Sequence, residues 1–197
     1  MVDYYLKDEE RFGPFLSFLY RFAGKFPICK MVYNFVEDDV RKSGARVILD
    51  IGTGPGDIPI RLAEDGELKI FATDPSRDMI AIARKKAMGI KNLKFALGSS
   101  RCVPFRTKFD LIYSSLSYHH WKRKEESLNY LSKFLVNGGE IRIYEYNMRK
   151  LHGFMGMGRS HALDIREFRK TVKRTGLKII SVHESGRFVR MSLKRRA

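Results

Sequence analysis

The feature that most constrains this chain is an apolar run that leads directly into three closely spaced glycines. The predicted strand covers residues 46–50, and Gly52, Gly54 and Gly56 follow it at alternate positions. A continuous apolar run is typical of a central parallel strand that is buried on both faces. Glycines after such a strand let the backbone turn sharply and approach a ligand closely. The segment therefore predicts a strand, a ligand-binding loop and a helix.

A second signal is an aspartate that directly follows the next predicted strand, residues 68–73. Asp74 stands at the position where doubly wound folds place an acid that accepts hydrogen bonds from a ribose. The G-x-G-x-x-G pattern of dinucleotide-binding loops fails here, because neither possible register has a glycine at its sixth position. The spacing present is D-x-G-x-G-x-G, from Asp50 to Gly56. The alternative interpretation is a glycine turn that binds nothing.

Strand-like and helical patterns alternate along most of the chain, which predicts a mostly parallel sheet. The other strands are predicted at residues 93–97, 109–113 and 140–144, and helices at residues 8–41, 77–88, 124–135 and 164–175. Asp164 is the predicted N-cap of the last helix, and Gly176 is its C-terminal stop. Residues 177–184 and 188–193 are extended and flank a tight turn, which predicts an antiparallel hairpin.

Taken in order, these motifs resemble those of class I S-adenosylmethionine-dependent methyltransferases. The glycine loop resembles their motif I, and Asp74 resembles their ribose-binding acid. Residues 71–79 resemble the second motif, in which Met79 corresponds to a residue near the adenine. Residues 95–105 resemble the third motif, with Ser99 where the family usually has an acid that binds the adenine amino group. The resemblance implies S-adenosylmethionine as cofactor, held by Asp50, Gly52, Thr53, Gly54, Gly56, Asp74, Pro75, Ser76, Met79, Ser99, Ser100 and Ser114.

The later motifs extend this resemblance to most of the chain. Residues 109–121 resemble the fourth motif, and members related to ubiquinone and menaquinone methylation often carry a His-His pair after this strand. Residues 135–143 resemble the turn before the fifth strand, with Asn137 in place of the usual proline. The family resemblance implies an α/β fold: a Rossmann-like seven-stranded mixed sheet with helices on both faces and an antiparallel terminal hairpin.

The candidate catalytic residues follow the fourth predicted strand, at the sheet edge where ligands bind in such folds. The sulfonium of S-adenosylmethionine already activates the methyl group, so the protein mainly aligns donor and acceptor. His119 and His120 are the candidate proton acceptors, and Tyr118 is a candidate for orienting the acceptor. The alternative is that one histidine caps a helix while the other packs beside Trp121. The Asp/Asn-Pro-Pro-aromatic tetrad of nucleic-acid amino methyltransferases is missing, so that subclass gains no support.

The whole chain, residues 1–197, is predicted to form one methyltransferase domain. Residues 1–42 form an N-terminal helical cap region rich in aromatic residues, although ordinary helix packing also explains those residues. Residues 146–163 form a candidate lid over the acceptor, because Phe154, Met155 and Met157 alternate there with glycines. A small, apolar or aromatic acceptor fits these two segments.

The formal net charge of +16 leaves several partners open. It indicates either a solvated charged surface or an affinity for nucleic acid or anionic membranes. The predicted helix 164–175 and the C-terminus carry many cations, namely Arg166, Arg169, Lys170, Lys173, Arg174, Lys194, Arg195 and Arg196. Any nucleic-acid binding by them is predicted to be weak and not sequence-specific. RNA or protein methylation and a non-catalytic, cofactor-binding or partner module remain alternatives.

Other features of the sequence predict a cytoplasmic protein. The N-terminus lacks the pattern of a secretory signal, and no apolar stretch is long enough to span a membrane. Cys29 and Cys102 lack metal-ligand spacing and are predicted to be reduced, and no metal site is predicted.

Overall fold

The protein is described here by a computed structural model that covers residues 27–147 and 162–196. Its helices are α1 Pro27–Arg41, α2 Asp57–Ala63, α3 Arg77–Lys86, α4 Lys124–Ser132 and α5 Ile165–Lys173. Its strands are β1 Val47–Ile51, β2 Lys69–Asp74, β3 Leu93–Leu97, β4 Phe109–Ser115, β5 Leu135–Asn147, β6 Ala162–Leu163, β7 Leu177–Ser185 and β8 Phe188–Arg195. A short 3₁₀ turn covers Tyr118–His120.

One sheet contains all of these strands. Seven of them form a continuous path in the order β3-β2-β1-β4-β5-β8-β7, and β6 pairs with β5 off this path. The strands from β3 to β5 pair in parallel, whereas β8 is antiparallel to both β5 and β7. The predicted Rossmann-like mixed sheet and its antiparallel terminal hairpin are confirmed. The short β6 makes it a sheet of eight strands.

Helices cover both faces of the sheet, because adjacent residues of a strand point to opposite sides. Ile48 of β1 packs on the side of α1, α2 and α3, where Val36 and Leu62 are fully buried. Its neighbour Leu49 packs on the side of α4 and α5, where Leu128 and Phe168 are buried. The central strands are therefore apolar on both faces, as the run of residues 46–50 predicts.

Aspartate caps and ion pairs fix the outer helices. Asp164 caps α5, as predicted, by accepting hydrogen bonds from the backbone N–H groups of Arg166 and Glu167 at 2.7 and 3.4 Å. Asp39 fixes α1 to the sheet. Its carboxylate accepts hydrogen bonds from Arg142 Nη1 at 2.7 Å and from the Tyr144 hydroxyl at 2.6 Å, and it also pairs with Arg190.

Most sequence-based boundaries differ from the structure by one or two residues, and a few of the differences matter for the fold. The helix predicted at 124–135 ends at Ser132, and β5 begins at Leu135 rather than at 140. The strand β5 continues through the predicted turn because its pairing with β4 shifts register there. Gly138, with φ +80°, lies within this shift. Both ends of the predicted lid 146–163 belong to strands, because β5 includes residues 146–147 and β6 includes residues 162–163; the rest of that segment lies outside the described residues.

Some predicted features lie outside the described residues. They are the aromatic part of the N-terminal cap region and the lid residues Phe154, Met155 and Met157. Among the helices that are described, none has the length and apolar character needed to cross a bilayer.

Candidate functional site

The glycine loop is folded tightly against the ends of two neighbouring strands. The backbone N–H groups of Gly52 and Thr53 both donate to the Thr73 carbonyl of β2, at 2.8 and 2.9 Å. Gly52 has φ +75°, and a Cβ at this position would lie 1.9 Å from Ser117 Oγ. Only glycine fits here, because the loop after β1 touches the loop after β4. The two loops therefore form one continuous surface.

The other two glycines of the loop have different roles. Gly56 adopts φ +80° at the start of α2, and a Cβ there would meet Phe95 at 2.8 Å and Ala83 at 2.9 Å. Gly54 adopts φ +55°, but a Cβ there would have nothing within 4 Å. Gly56 is thus needed for packing against protein, whereas Gly54 exposes its backbone to open space where a ligand can approach.

Asp74 lies at the end of β2 and holds this loop in place. One carboxylate oxygen accepts a hydrogen bond from the Gly54 N–H at 2.8 Å, and the other accepts one from the Ser76 N–H at 2.8 Å. The residue is 4% exposed, and burial raises the pKa of its carboxyl to about 6. A carboxylate has about four acceptor positions, so each oxygen can accept a second hydrogen bond from a ligand.

Asp50, at the end of β1, is a second buried carboxylate of this site. It is 2% exposed, and burial raises its pKa to about 7 despite the opposing effect of the Thr53 and Tyr113 hydroxyls. The Tyr113 pKa is raised by burial and by the neighbouring Asp50. Within the described ranges neither Asp50 nor Asp74 forms an ion pair. Two acidic groups with acceptor capacity and no cationic partner fit a ligand that carries hydroxyls and positive charge.

The remaining residues predicted to bind the cofactor surround these carboxylates to different degrees. Ser76 caps α3 and accepts a hydrogen bond from the N–H of Met79, which is buried beside it. Ser99 Oγ accepts a hydrogen bond from the Arg101 N–H at 3.2 Å. Ser114 is 1% exposed and its hydroxyl has no hydrogen-bond partner among the residues that the structure describes.

Ser100 differs from these residues, because its hydroxyl is used within the protein. Its Oγ lies 2.8 Å from Ser127 Oγ on α4, and both side chains are buried. A cofactor contact by Ser100 stays a prediction. Ser114 fits a ligand better, because a buried hydroxyl without a partner is unfavourable until something binds it.

His119 is held by a carboxylate that the sequence analysis missed. Glu145 on β5 is fully buried; one of its oxygens lies 3.0 Å from His119 Nδ1, and the other accepts a hydrogen bond from the His119 N–H at 3.2 Å. A carboxylate at Nδ1 orients an imidazole and leaves Nε2 as the proton-accepting nitrogen. Glu145 directly follows the predicted strand 140–144, and a charged residue at the end of a parallel strand was the available signal.

The other two catalytic candidates, His120 and Tyr118, contact aromatic rings. The His120 ring lies beside the His119 ring, with centroids 3.9 Å apart. Tyr118 is 2% exposed and packs against Trp121 and Phe168, with ring centroids at 5.1 and 5.2 Å, and burial raises the pKa of its hydroxyl. Tyr118 therefore belongs to the core. The predicted roles of His120 as a proton acceptor and of Tyr118 in orienting an acceptor stay predictions.

The turn that presents this histidine pair is strained. Leu116 adopts φ +50°, a conformation that is rare for a residue with a bulky side chain. Its N–H donates to the Tyr144 carbonyl at 2.9 Å, which ties the turn to β5.

No group of three His, Cys, Asp or Glu side chains able to hold a metal ion was found in residues 27–147 and 162–196.

Known proteins with similar sequences include methyltransferases. Residues 48–139, which include the glycine loop and Asp74, match a family model described as a methyltransferase domain. A ubiquinone/menaquinone biosynthesis C-methyltransferase of Xylella fastidiosa (strain M12) is 29% identical over 119 residues, which are 57% of this chain and 47% of that protein. The chain spans less than half the length of this and another curated relative that it matches.

Solved structures share the fold at low sequence identity. One is an O-methyltransferase from neocarzinostatin biosynthesis, in complex with S-adenosyl-L-homocysteine and 1,4-dihydroxy-2-naphthoic acid. It has a TM-score of 0.75 and 14% identity, and the match covers 91% of this chain and 57% of that one. Another is the plantazolicin methyltransferase in complex with a triazolic desmethylPZN analog and S-adenosyl-L-homocysteine. Its TM-score is 0.75 with 14% identity, covering 92% of this chain and 91% of that one.

The family match and the fold agree with each other. Residues 48–139 match a methyltransferase domain, and the chain shares the fold of S-adenosylmethionine-dependent methyltransferases of known structure. Proteins of similar sequence include ubiquinone and menaquinone methyltransferases. This is the group whose members often carry a His-His pair like His119–His120 after the fourth strand. The family resemblance stated from the sequence is thereby confirmed.

Proposed function

We propose that this domain transfers a methyl group from S-adenosylmethionine to a small, apolar or aromatic acceptor. The observation that carries the proposal is the contact between the loop of Gly52 and the loop of Ser117. It joins the glycine loop and Asp74, on the cofactor side, to the oriented His119. A small acceptor is supported by the two solved neighbours, whose bound compounds are small molecules.

The cofactor would be held mainly by backbone and carboxylate groups. When bound, it supplies an electrophilic methyl group on a sulfonium, which leaves as a neutral thioether. The free side of Gly54 gives room for a close backbone approach, and Asp74 offers its remaining acceptor positions to the ribose hydroxyls. Met79 and Ser99 would contact the adenine, and the unpartnered Ser114 hydroxyl would bind a polar group of the cofactor.

His119 would accept the proton of an acceptor hydroxyl or amine. With Nδ1–H donating to Glu145, Nε2 is the ring nitrogen that carries the lone pair and would take that proton. The buried carboxylate then stabilises the imidazolium that forms, because it lies 3.0 Å away in a site shielded from water. Methyl transfer and proton removal together would leave the methylated acceptor neutral.

The cofactor assignment can be tested with a matched pair of glycine variants. Asn tolerates positive φ, so Gly54→Asn and Gly44→Asn introduce similar side chains at positions with φ +55° and +74° and open space around both. Only Gly54 faces the proposed site. Calorimetry should show that Gly54→Asn binds S-adenosylhomocysteine at least about tenfold more weakly, or about 1.4 kcal/mol, while Gly44→Asn binds it normally. A wild-type protein that prefers a nicotinamide cofactor would disprove the assignment.

The acceptor and the base can be tested by following transfer of a radiolabelled methyl group. Wild-type protein is incubated with fractions of small molecules, total RNA and total protein, and the label should enter the small-molecule fraction. His119→Asn should lower kcat by about 10² to 10⁴, and Glu145→Gln should lower it less and change the pH profile. Label that appears only in RNA or protein would overturn the choice of acceptor. Full turnover of both variants would leave alignment alone as the source of catalysis.

A further inference from the structure

A row of basic side chains follows the edge of the sheet opposite to the candidate site. At this amino edge every strand of the seven-strand path has an exposed cation at its end or within two residues of it. We name this row the basic rim; in spatial order from β3 to β7 it comprises Lys94, Lys69, Arg46, Lys108, Lys133, Arg195 and Lys178.

Strand pairing makes the basic rim continuous. The Lys69 N–H donates to the Arg46 carbonyl at 2.8 Å, and the Lys108 ammonium donates to the Lys133 carbonyl. On the antiparallel side, Arg195 lies opposite Leu177, which directly precedes Lys178. Neighbouring strands lie about 4.8 Å apart, so a rim that crosses seven strands is about 29 Å long.

The cations of the basic rim are not held in ion pairs by the described part of the protein. None of its seven cations forms an ion pair with a carboxylate in the part of the chain that the structure describes. Two carboxylates near this edge are engaged elsewhere. Asp110 accepts the backbone N–H groups that begin β1, and Glu140 pairs with Arg142 and Lys194. Cations away from the rim are often paired, as Arg41, Arg61 and Lys86 show.

We propose that the basic rim binds the phosphate backbone of a nucleic acid without recognising its bases. A line of unpaired cations is complementary to a linear polyanion, and each phosphate contact releases condensed counterions. No Phe, Tyr or Trp side chain is exposed in the described ranges, and none belongs to the rim, so the rim has no such platform on which bases could stack. Contacts to phosphates position a nucleic acid but do not read its sequence. The nucleic acid would lie at the edge opposite to His119, and it is therefore not the methyl acceptor.

An anionic bilayer is a less suitable partner for this edge. The basic rim is one row of charges, and the exposed large apolar side chains among the described residues are Met31, Met88 and Ile180, none of which belongs to it. Membrane-bound surfaces combine cations with apolar residues that enter the interface. Lipid vesicles are therefore the comparison in the test, and the expected ligand is a nucleic-acid duplex.

Two four-residue variants with the same change in charge test the proposal. The rim variant is R46Q/K69Q/K94Q/K108Q, and the control on α5 is R166Q/R169Q/K170Q/K173Q; all eight positions are exposed. Fluorescence anisotropy follows binding of a mixed-sequence DNA duplex to the full chain at several salt concentrations. If each rim cation contacts a phosphate, the slope of log K against log salt should become shallower by up to about 3.6, and affinity should fall at least about tenfold. The control should change affinity less than about twofold.

The outcomes separate this proposal from its rivals and from the proposed methyl transfer. Equal losses in the rim variant and the α5 control would show that net charge alone acts, and this would overturn the proposal. A wild-type protein that ignores the duplex but binds phosphatidylcholine–phosphatidylserine vesicles through the rim would overturn it in favour of a bilayer. Binding of S-adenosylhomocysteine and methyl transfer to a small acceptor should be unchanged in both variants, so a failure here leaves the proposed function intact.

Discussion

Carboxylates with little exposure to solvent occur in two regions of this protein, and their partners differ between the two regions. Asp39, between α1 and the sheet, is surrounded by the cations of Arg142 and Arg190 and by the Tyr144 hydroxyl. Asp74, at the carboxyl edge, accepts hydrogen bonds from two backbone N–H groups and pairs with no cation in the described part of the chain. Asp50 beside it also lacks an ion pair among the described residues, and burial raises the pKa of both groups.

The difference indicates which carboxylates serve the fold and which serve a ligand. A carboxylate whose charge is matched by fixed cations belongs to the fold, because its removal leaves those cations buried without a partner. A carboxylate that is buried without a cation destabilises the empty protein, because its charged form is poorly solvated. Such an arrangement is favourable only when a ligand brings donors and positive charge. Three substitutions of aspartate by asparagine test this comparison.

The largest expected effect is the pH dependence of stability caused by Asp50. Its pKa is about 7 in the folded protein and close to 3.8 when unfolded, so the folded protein binds the proton more tightly. The contribution of Asp50 to the free energy of unfolding is therefore fully present below about pH 4, and this contribution is lost as the pH rises to about 7. Relative to Asp50→Asn, the wild type should lose about 4 kcal/mol of unfolding free energy over this window. Urea denaturation at a series of pH values measures it, and parallel curves for the two proteins would contradict the prediction.

A somewhat smaller loss is expected for Asp39→Asn. Removing this charge leaves the guanidinium groups of Arg142 and Arg190 without their shared partner in a part-buried site. The free energy of unfolding should fall by about 3 kcal/mol, as is typical when one partner of a buried ion pair is removed. Asp65→Asn is the control, because its ion pair with Arg41 is more exposed and should cost less than about 1 kcal/mol. Equal losses in the two variants would contradict a special role for Asp39.

The smallest expected effect appears in ligand binding rather than in stability. Asp74→Asn replaces a charged acceptor for ribose hydroxyls with a weaker, neutral one. Affinity for S-adenosylhomocysteine should fall by about 1.5 kcal/mol, while unfolding free energy should change less than in Asp39→Asn. Asp39→Asn should bind the ligand normally wherever it is folded. Calorimetry on both variants measures the contrast, and normal binding by Asp74→Asn would remove this residue from the proposed cofactor site.

Most of the fold could be predicted because its signals are local. The apolar run before Gly52 encodes a strand buried on both faces. The turn residues near Gly186 predict a hairpin, which the structure confirms with its turn at residues 186–187. Asp164 caps its helix through backbone groups only two and three residues away. The start of β5 was missed because its first residues join the sheet through a shift of register around Gly138, and pairing with another strand is not a local signal.

The sequence by itself thus determined the alternation of strands and helices, the glycine loop and the position of Asp74 at a strand end. Tertiary structure alone decided which charges meet. Glu145 reaches His119 across 26 positions of sequence, and Asp39 reaches Arg190 across 151. The seven cations of the basic rim become neighbours only through the strand order. The physical reason is that periodicity and capping depend on nearby residues, whereas contacts between strands depend on the order in which the chain crosses the sheet.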